Sequence, residues 1–200
     1  MRTPLSPVAG RRTVTLGRAH LSTHDHVCAF VRGDDERERV ALSFFVEGLQ
    51  AGEACRYVGR LRDGRRLAAV MSEDGVDVRL FEVSRPWDPV TGDPLDVDRL
   101  IHAADVWAGT IAALDGHHFT RTITDMTALH PRIGSVGLRP RLVDYEARAT
   151  KRAKAFPHVD VCMFDFGVFG GDVVIASTKT HPDVWMGGYV LARLPTEPPE

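Results

Sequence analysis

Short apolar runs alternate along this chain with stretches whose apolar residues recur at helical spacing. Val27 to Val31 is continuous and apolar, which predicts a strand buried on both faces. Ala41, Phe44, Phe45, Gly48 and Leu49 follow at i, i+3, i+4, i+7 and i+8, one apolar face of a helix that Gly52 ends. Cys55–Val58 predicts a second strand. Gly64–Asp74 predicts a helix with Leu67, Val70 and Met71 on one side, and Val76–Val83 a third strand. Asp96 is placed to cap a helix carrying Val97, Leu100, Ile101, Ala104, Ala108 and Ile111, flanked by Trp107 and closed by Asp115-Gly116. Phe119–Thr124 then predicts a strand ending at Asp125. Pro140 opens a helix with Leu142, Val143, Tyr145, Glu146, Ala149 and Ala153 at helical spacing. Val159–Phe164 is a strand ending at Asp165. A short helix from Gly170-Gly171-Asp172 to about Thr178 and a strand from Val184 to Leu191 complete the set.

This alternation defines the expected fold class, α/β: a three-layer αβα domain with a mainly parallel central sheet and right-handed crossovers. The expected organisation is a flexible tail over 1–22, one domain over 23–191 and a second tail over 192–200. The Pro-rich stretch 84–94, with Trp87, is a candidate pocket rim. Ligands of such sheets bind at the carboxyl ends of the strands. That places Arg32, Arg60, Asp125 and Asp165 at the expected crevice.

Composition narrows the function. The chain has 200 residues, 44% of them hydrophobic, and a formal net charge of −2. One sizeable core is affordable, and there is no general attraction to nucleic acid or anionic membrane. No apolar run is long enough to span a bilayer, and the N-terminal residues lack a signal-peptide core. Cys28, Cys55 and Cys162 are unclustered in sequence, which predicts reduced thiols and a cytoplasmic location.

The segment after the first buried strand is the informative one. A phosphate-binding loop there needs glycines whose amides converge on phosphate, followed by Lys and Ser/Thr. The chain has Arg32-Gly33-Asp34-Asp35-Glu36-Arg37 instead. Acids at a helix start suit its dipole but compete with phosphate for the same donors. The reading is a degenerate P-loop on an ATPase-like scaffold: recognition without hydrolysis, and no enzyme.

An ordered set of short motifs carries a resemblance. His26-Val-Cys-Ala-Phe30, Gly48-Leu-Gln-Ala-Gly-Glu53, Asp98-Arg-Leu100, Thr124-Asp-Met126, Tyr145-Glu-Ala-Arg148, Val161-Cys-Met-Phe-Asp165 and Thr180-His-Pro182 together resemble the MEDS domain. That is the sensory domain of methanogens, methylotrophs and dichloromethane-responsive regulators, and the likeness spans about residues 22–188. It implies a RecA- or clock-ATPase-like fold with a lost P-loop. It also implies sensing of a small organic, hydrocarbon-derivative-like molecule, and a role in transcription regulation. The implied partner is a regulatory protein of the anti-sigma kinase or antagonist type; a homodimer is a further expectation. Many relatives have Glu where Asp125 stands and Gln-Tyr where Met163-Phe164 stands, and their 60–75 segment is longer.

The residues taken forward as ligand-binding are His26, Cys28, Phe30, Arg32, Asp125, Tyr145, Cys162, Asp165 and His181. No catalytic set, cofactor or resident metal is expected. A ligand-free protein–protein adaptor is the first alternative. Residual nucleotide binding is another, as is a metal or redox sensor using His26, Cys28 and Cys162, with His24 or His181 as further donors. His26 opens its strand and so belongs at the amino end, away from the crevice. Asp125, where a RecA-type ATPase holds Mg²⁺, and Asp165 are weighed against simple capping roles. Trp87, Trp107 and Trp185 are weighed as the lining of an apolar cavity against ordinary packing.

Overall fold

A computed structural model of the chain describes residues 12–86, 96–113, 119–132 and 138–193. The elements are β1 (Thr13–Leu16), β2 (Ala19–Ser22), β3 (His26–Val31), α1 (Gly33–Gln50), β4 (Ala54–Val58), α2 (Leu61–Glu73) and β5 (Phe81–Ser84). After them come α3 (Val97–Ala112), β6 (Thr120–Asp125), a 3₁₀ stretch (Met126–Arg132), α4 (Leu138–Ala153), β7 (His158–Asp165), α5 (Gly171–Thr180), β8 (Asp183–Met186) and β9 (Tyr189–Arg193). The main sheet has the order β5-β4-β6-β7-β3-β8-β9. Every pairing in it is parallel except β8 with β9. This is the expected three-layer α/β architecture.

The continuous apolar runs are explained by the layers. Val27, Ala29, Val31, Val159, Val161, Met163 and Ile123 face α1, α2 and the β1–β2 hairpin. Cys28, Phe30, Cys162 and Phe164 face α4 and α5 on the other side. β3 is buried at all six positions because both faces are covered.

Several expectations need correction. Residues 13–22 are not a tail: they form a hairpin, turned at Gly17 with φ 62°, whose Val14, Leu16 and Leu21 enter the core. Short sequence runs with little period concealed it, and its docking is tertiary: the Trp185 indole N–H donates to the Leu16 carbonyl at 2.9 Å. The third strand shrinks to Phe81–Ser84. The last predicted strand is two, β8 and β9, folded back through Gly187 and Gly188 at φ 60° and 95°. Asp96 does cap α3, accepting from the Arg99 amide at 3.0 Å. The 84–94 rim with Trp87 falls largely outside the described residues, as do Asp115-Gly116 and the far ends of both predicted tails.

The Gly48 to Glu53 motif has a structural reason. Arg121 of β6 is buried and donates through Nε to Glu53 and, at 3.2 Å, through NH1 to the Phe44 carbonyl. Its guanidinium lies 5.3 Å from the Phe44 ring centroid. Gly48 leaves room for it: a Cβ there would stand 2.8 Å from Arg121 Nε and 2.8 Å from Cys55 Sγ. Gly52 at φ 74° turns the chain so that Glu53 reaches back to the arginine. Gly48→Ala is therefore expected to cost about 1–3 kcal/mol in urea unfolding, through overpacking against this buried pair. An unchanged midpoint would show that the arginine has space to move.

Candidate functional site

The carboxyl end of the sheet is built around Asp125, the last residue of β6 and fully buried. Its Oδ2 accepts from the Tyr57 hydroxyl at 2.7 Å and lies 3.3 Å from Arg37 Nε. Its Oδ1 accepts from the Thr127 amide at 3.0 Å and the Thr127 hydroxyl at 2.6 Å. A carboxylate offers about four acceptor positions; here three hydrogen bonds use them, and the Arg37 guanidinium adds an ion-pair contact. Burial, with Asp125 adding to it, pushes the Tyr57 hydroxyl pKa well above its ordinary value, so the phenol stays a donor. The Tyr57 ring is framed by two glycines. A Cβ on Gly59 would stand 2.6 Å from it, and one on Gly64 would stand 2.8 Å from it and 2.3 Å from Val83 Cγ1.

The loop from β3 into α1 is closed by carboxylates of its own. Gly33 takes φ 76°, and its N–H meets both Asp165 oxygens at 3.1 and 3.2 Å. The Arg32 N–H donates to Glu36 Oε2 at 2.8 Å. Of the three consecutive acids, Glu36 takes a loop amide and Asp34 pairs with Arg37 at 2.7 Å. The acid that holds the Gly33 amide comes from the far end of β7, which the local sequence does not reveal.

Beside Asp125 opens a cleft of about 350 Å³ between α1 and α2. Its floor is Ala41, Leu67 and Tyr57, and its rim is Asp34, Arg37, Glu38, Arg62, Asp63 and Arg66. The rim charges are largely matched, Arg66 with Glu38 at 3.1 Å and Arg62 with Asp63 at 3.1 Å. A second cavity of about 260 Å³ lies at the ends of β3 and β8, against Phe30, Val31, Arg32, Glu36, Phe166, Met186 and Gly187.

The nine predicted residues fall into two groups. Arg32, Asp125 and Asp165 are at the carboxyl end, although Asp125 and Asp165 spend their oxygens on the protein itself. His26, Cys28, Phe30, Tyr145, Cys162 and His181 lie on the α4/α5 face; Phe30 meets Arg32 at the cavity by the ends of β3 and β8, but the nine residues do not line one crevice. On that face Tyr145 is core, its hydroxyl 3.2 Å from Thr124 Oγ1. Cys28 and Cys162 are register partners on adjacent strands, and burial, with Glu146 adding to it, raises both thiol pKa values well above normal. His24 stands apart, its Nδ1 2.8 Å from the Ala153 carbonyl oxygen. Arg37 and Tyr57 were missed as site residues: nothing local marks a strand tyrosine or a first-turn arginine as partners of an aspartate on β6. Glu146 was weighed only as a helix residue, yet it is fully buried between His26 and His181. Burial raises its pKa, but His181 and then His26 outweigh that and hold it at about 2.

A separate buried network sits at the amino end. Arg152 donates through NH2 to Asp160 at 2.8 Å and to His158 Nε2 at 3.0 Å, and His158 Nδ1 donates to Thr120 Oγ1 at 2.6 Å. Burial, then the Arg152 charge, lowers the His158 pKa to about 4.

The fold belongs to the RecA-like α/β class. Its similarity to the crystal structure of a KaiC-like protein from the archaeon Pyrococcus horikoshii has a TM-score of 0.61. That likeness covers 88% of this chain and 81% of the other at 15% identity. The MEDS family model, the methanogen/methylotroph, DcmR sensory domain, matches residues 25–182, and the chain belongs to that family. No curated protein sequence matches the chain. No helix among the described residues is long and apolar enough to cross a membrane.

Two outcomes are expected from these networks. Tyr57→Phe should lower stability by about 1–2 kcal/mol, because one acceptor position of buried Asp125 loses its donor; urea unfolding measures it. For His158, the unfolded ring binds a proton near pH 6.5 and the folded ring only near 4. The unfolded state therefore binds more protons between those values, and stability falls as pH drops through that window. Between pH 7 and pH 5 this one group should cost roughly 2 kcal/mol. Wild-type protein should lose that much more than His158→Gln across the same interval.

Proposed function

We propose that this MEDS domain is a non-catalytic sensor that binds a small organic molecule in the α1/α2 cleft and reports to a regulatory protein. The carrying observation is the cleft itself: about 350 Å³, apolar at its floor and charged at its rim. It lies at the carboxyl ends of β4 and β6, where sheets of this kind bind ligands. A compound with a short apolar body and one polar end suits it, in keeping with a hydrocarbon derivative. The loop that would hold phosphate is a degenerate P-loop in this reading, because Asp165 and Glu36 already occupy the Gly33 and Arg32 amides. Signalling requires that ligand prefer one arrangement of α1 and α2. Arg37 is the natural reporter, because it touches the cleft, Asp34, Asp125 and Thr127 at once.

A thermal-shift panel of short alcohols, amines, acids and halogenated hydrocarbons tests the reading. At about a hundredfold excess over Kd, a binder should raise Tm by roughly 5 °C or more. Leu67→Trp, which fills the floor, should abolish the shift. No shift across the panel, together with Mg²⁺-dependent ATP binding, would replace the sensor with a nucleotide-binding protein.

A further inference from the structure

On the other face of the sheet, four side chains of metal-ligating type converge in the protein interior. His26 comes from β3, Glu146 from α4, Cys162 from β7 and His181 from the end of α5. One donor atom from each lies within 4.8 Å of all the others, and all four residues are buried. His26 Nε2 is 3.3 Å from Cys162 Sγ and 3.4 Å from Glu146 Oε2. Glu146 Oε2 is in turn 3.1 Å from Cys162 Sγ and 3.0 Å from His181 Nε2. Tetrahedral zinc, with bonds of about 2.0–2.3 Å, sets its donors roughly 3.3–3.8 Å apart. The cluster is already close to that size.

The outer contacts fix which nitrogen faces inward. His181 Nδ1 is 2.7 Å from the Ser177 carbonyl oxygen, an atom that only accepts, so Nδ1 carries a proton. His26 Nδ1 is 2.7 Å from Thr150 Oγ1, whose own hydroxyl hydrogen has the Glu146 carbonyl at 3.0 Å to donate to. Both rings therefore present Nε2 to the cluster while Nδ1–H is held from behind, the arrangement of metal-ligating histidines. Two polar atoms are left over. Glu146 Oε1 is buried with no hydrogen-bond partner, and His181 Nε2 meets Glu146 Oε2 without the alignment of a hydrogen bond. His26–Cys162 and Cys162–Glu146 are hydrogen bonds while the two histidine–carboxylate contacts are not, a pattern that donors gathered around a shared centre produce.

We propose that His26, Glu146, Cys162 and His181 form a closed tetrahedral site for a divalent transition metal, with zinc the best match to two imidazoles, a thiolate and a carboxylate. Charge supports the choice. A dication with one thiolate and one carboxylate is neutral overall, which suits full burial. Binding releases the Cys162 thiol proton and any proton on His181 Nε2 to solvent. With every position taken by protein the ion is structural, and it ties α4 and α5 to the sheet. The site stands apart from the α1/α2 cleft, so it holds or fails whether or not the cleft binds a ligand.

The test is the full chain expressed in medium supplemented with Zn²⁺ or with Co²⁺, purified without chelator and analysed for metal content and absorption. One metal per chain is expected. The cobalt protein should show tetrahedral d–d bands and a thiolate-to-cobalt charge-transfer band. Cys162→Ser should abolish the charge-transfer band, whereas Cys55→Ser, on the opposite face, should keep it. His181→Gln should lower metal content at least tenfold. If a variant fails to fold, the wild-type spectrum and stoichiometry still decide. Metal-free wild-type protein from both media would overturn the site and leave a proton-bridged network. Metal that persists in Cys162→Ser with its thiolate band intact would overturn it too, by placing the ion elsewhere.

Discussion

The carboxyl end of this sheet is governed by carboxylates that have already found their donors. Asp125 accepts from Tyr57 and Thr127 and pairs with Arg37, and Asp165 holds the Gly33 amide. Burying a carboxylate is tolerable only when its oxygens are paired. These partners therefore fix where the β3–α1 loop, the start of α1 and the end of β4 must lie. The cleft between α1 and α2 exists because those anchors set the helices apart over a small apolar floor.

The two faces of the sheet solve different problems. The α1/α2 side is largely hydrocarbon, with the Arg121–Glu53 and Arg37–Asp125 ion pairs set into it. The α4/α5 side combines apolar packing around Phe164 with buried polar groups on β3, β6, β7, α4 and α5. The His158 network and the His26, Glu146, Cys162 and His181 cluster both lie there. Pairing there is incomplete: Glu146 Oε1 and His181 Nε2 lack a hydrogen bond, as do Arg152 Nε, Asp160 Oδ1 and Ser177 Oγ.

Much of the fold was legible because buried parallel strands and amphipathic helices leave strong periodic signals, as in Val27–Val31 and the apolar stripe of α1. The β1–β2 hairpin was not, since four-residue strands leave almost no period and their burial depends on Trp185, distant in sequence. The split of β8 from β9 was hidden by an apolar run that continues on both sides of Gly187-Gly188. Among site residues, the strand-end aspartates and the His/Cys positions were visible by type, but their division between two faces was not.

The sequence alone determined the α/β alternation, the strand-end positions of Asp125 and Asp165, and a β3–α1 loop with one glycine and three consecutive acids, because these follow from local spacing and residue type. Tertiary structure decided which groups meet. Tyr57 reaches Asp125, Asp165 reaches Gly33, and Glu146 lies between two histidines from β3 and α5. The physical reason is that strand order and helix packing bring together side chains separated by long stretches of chain, and no local pattern encodes those distances.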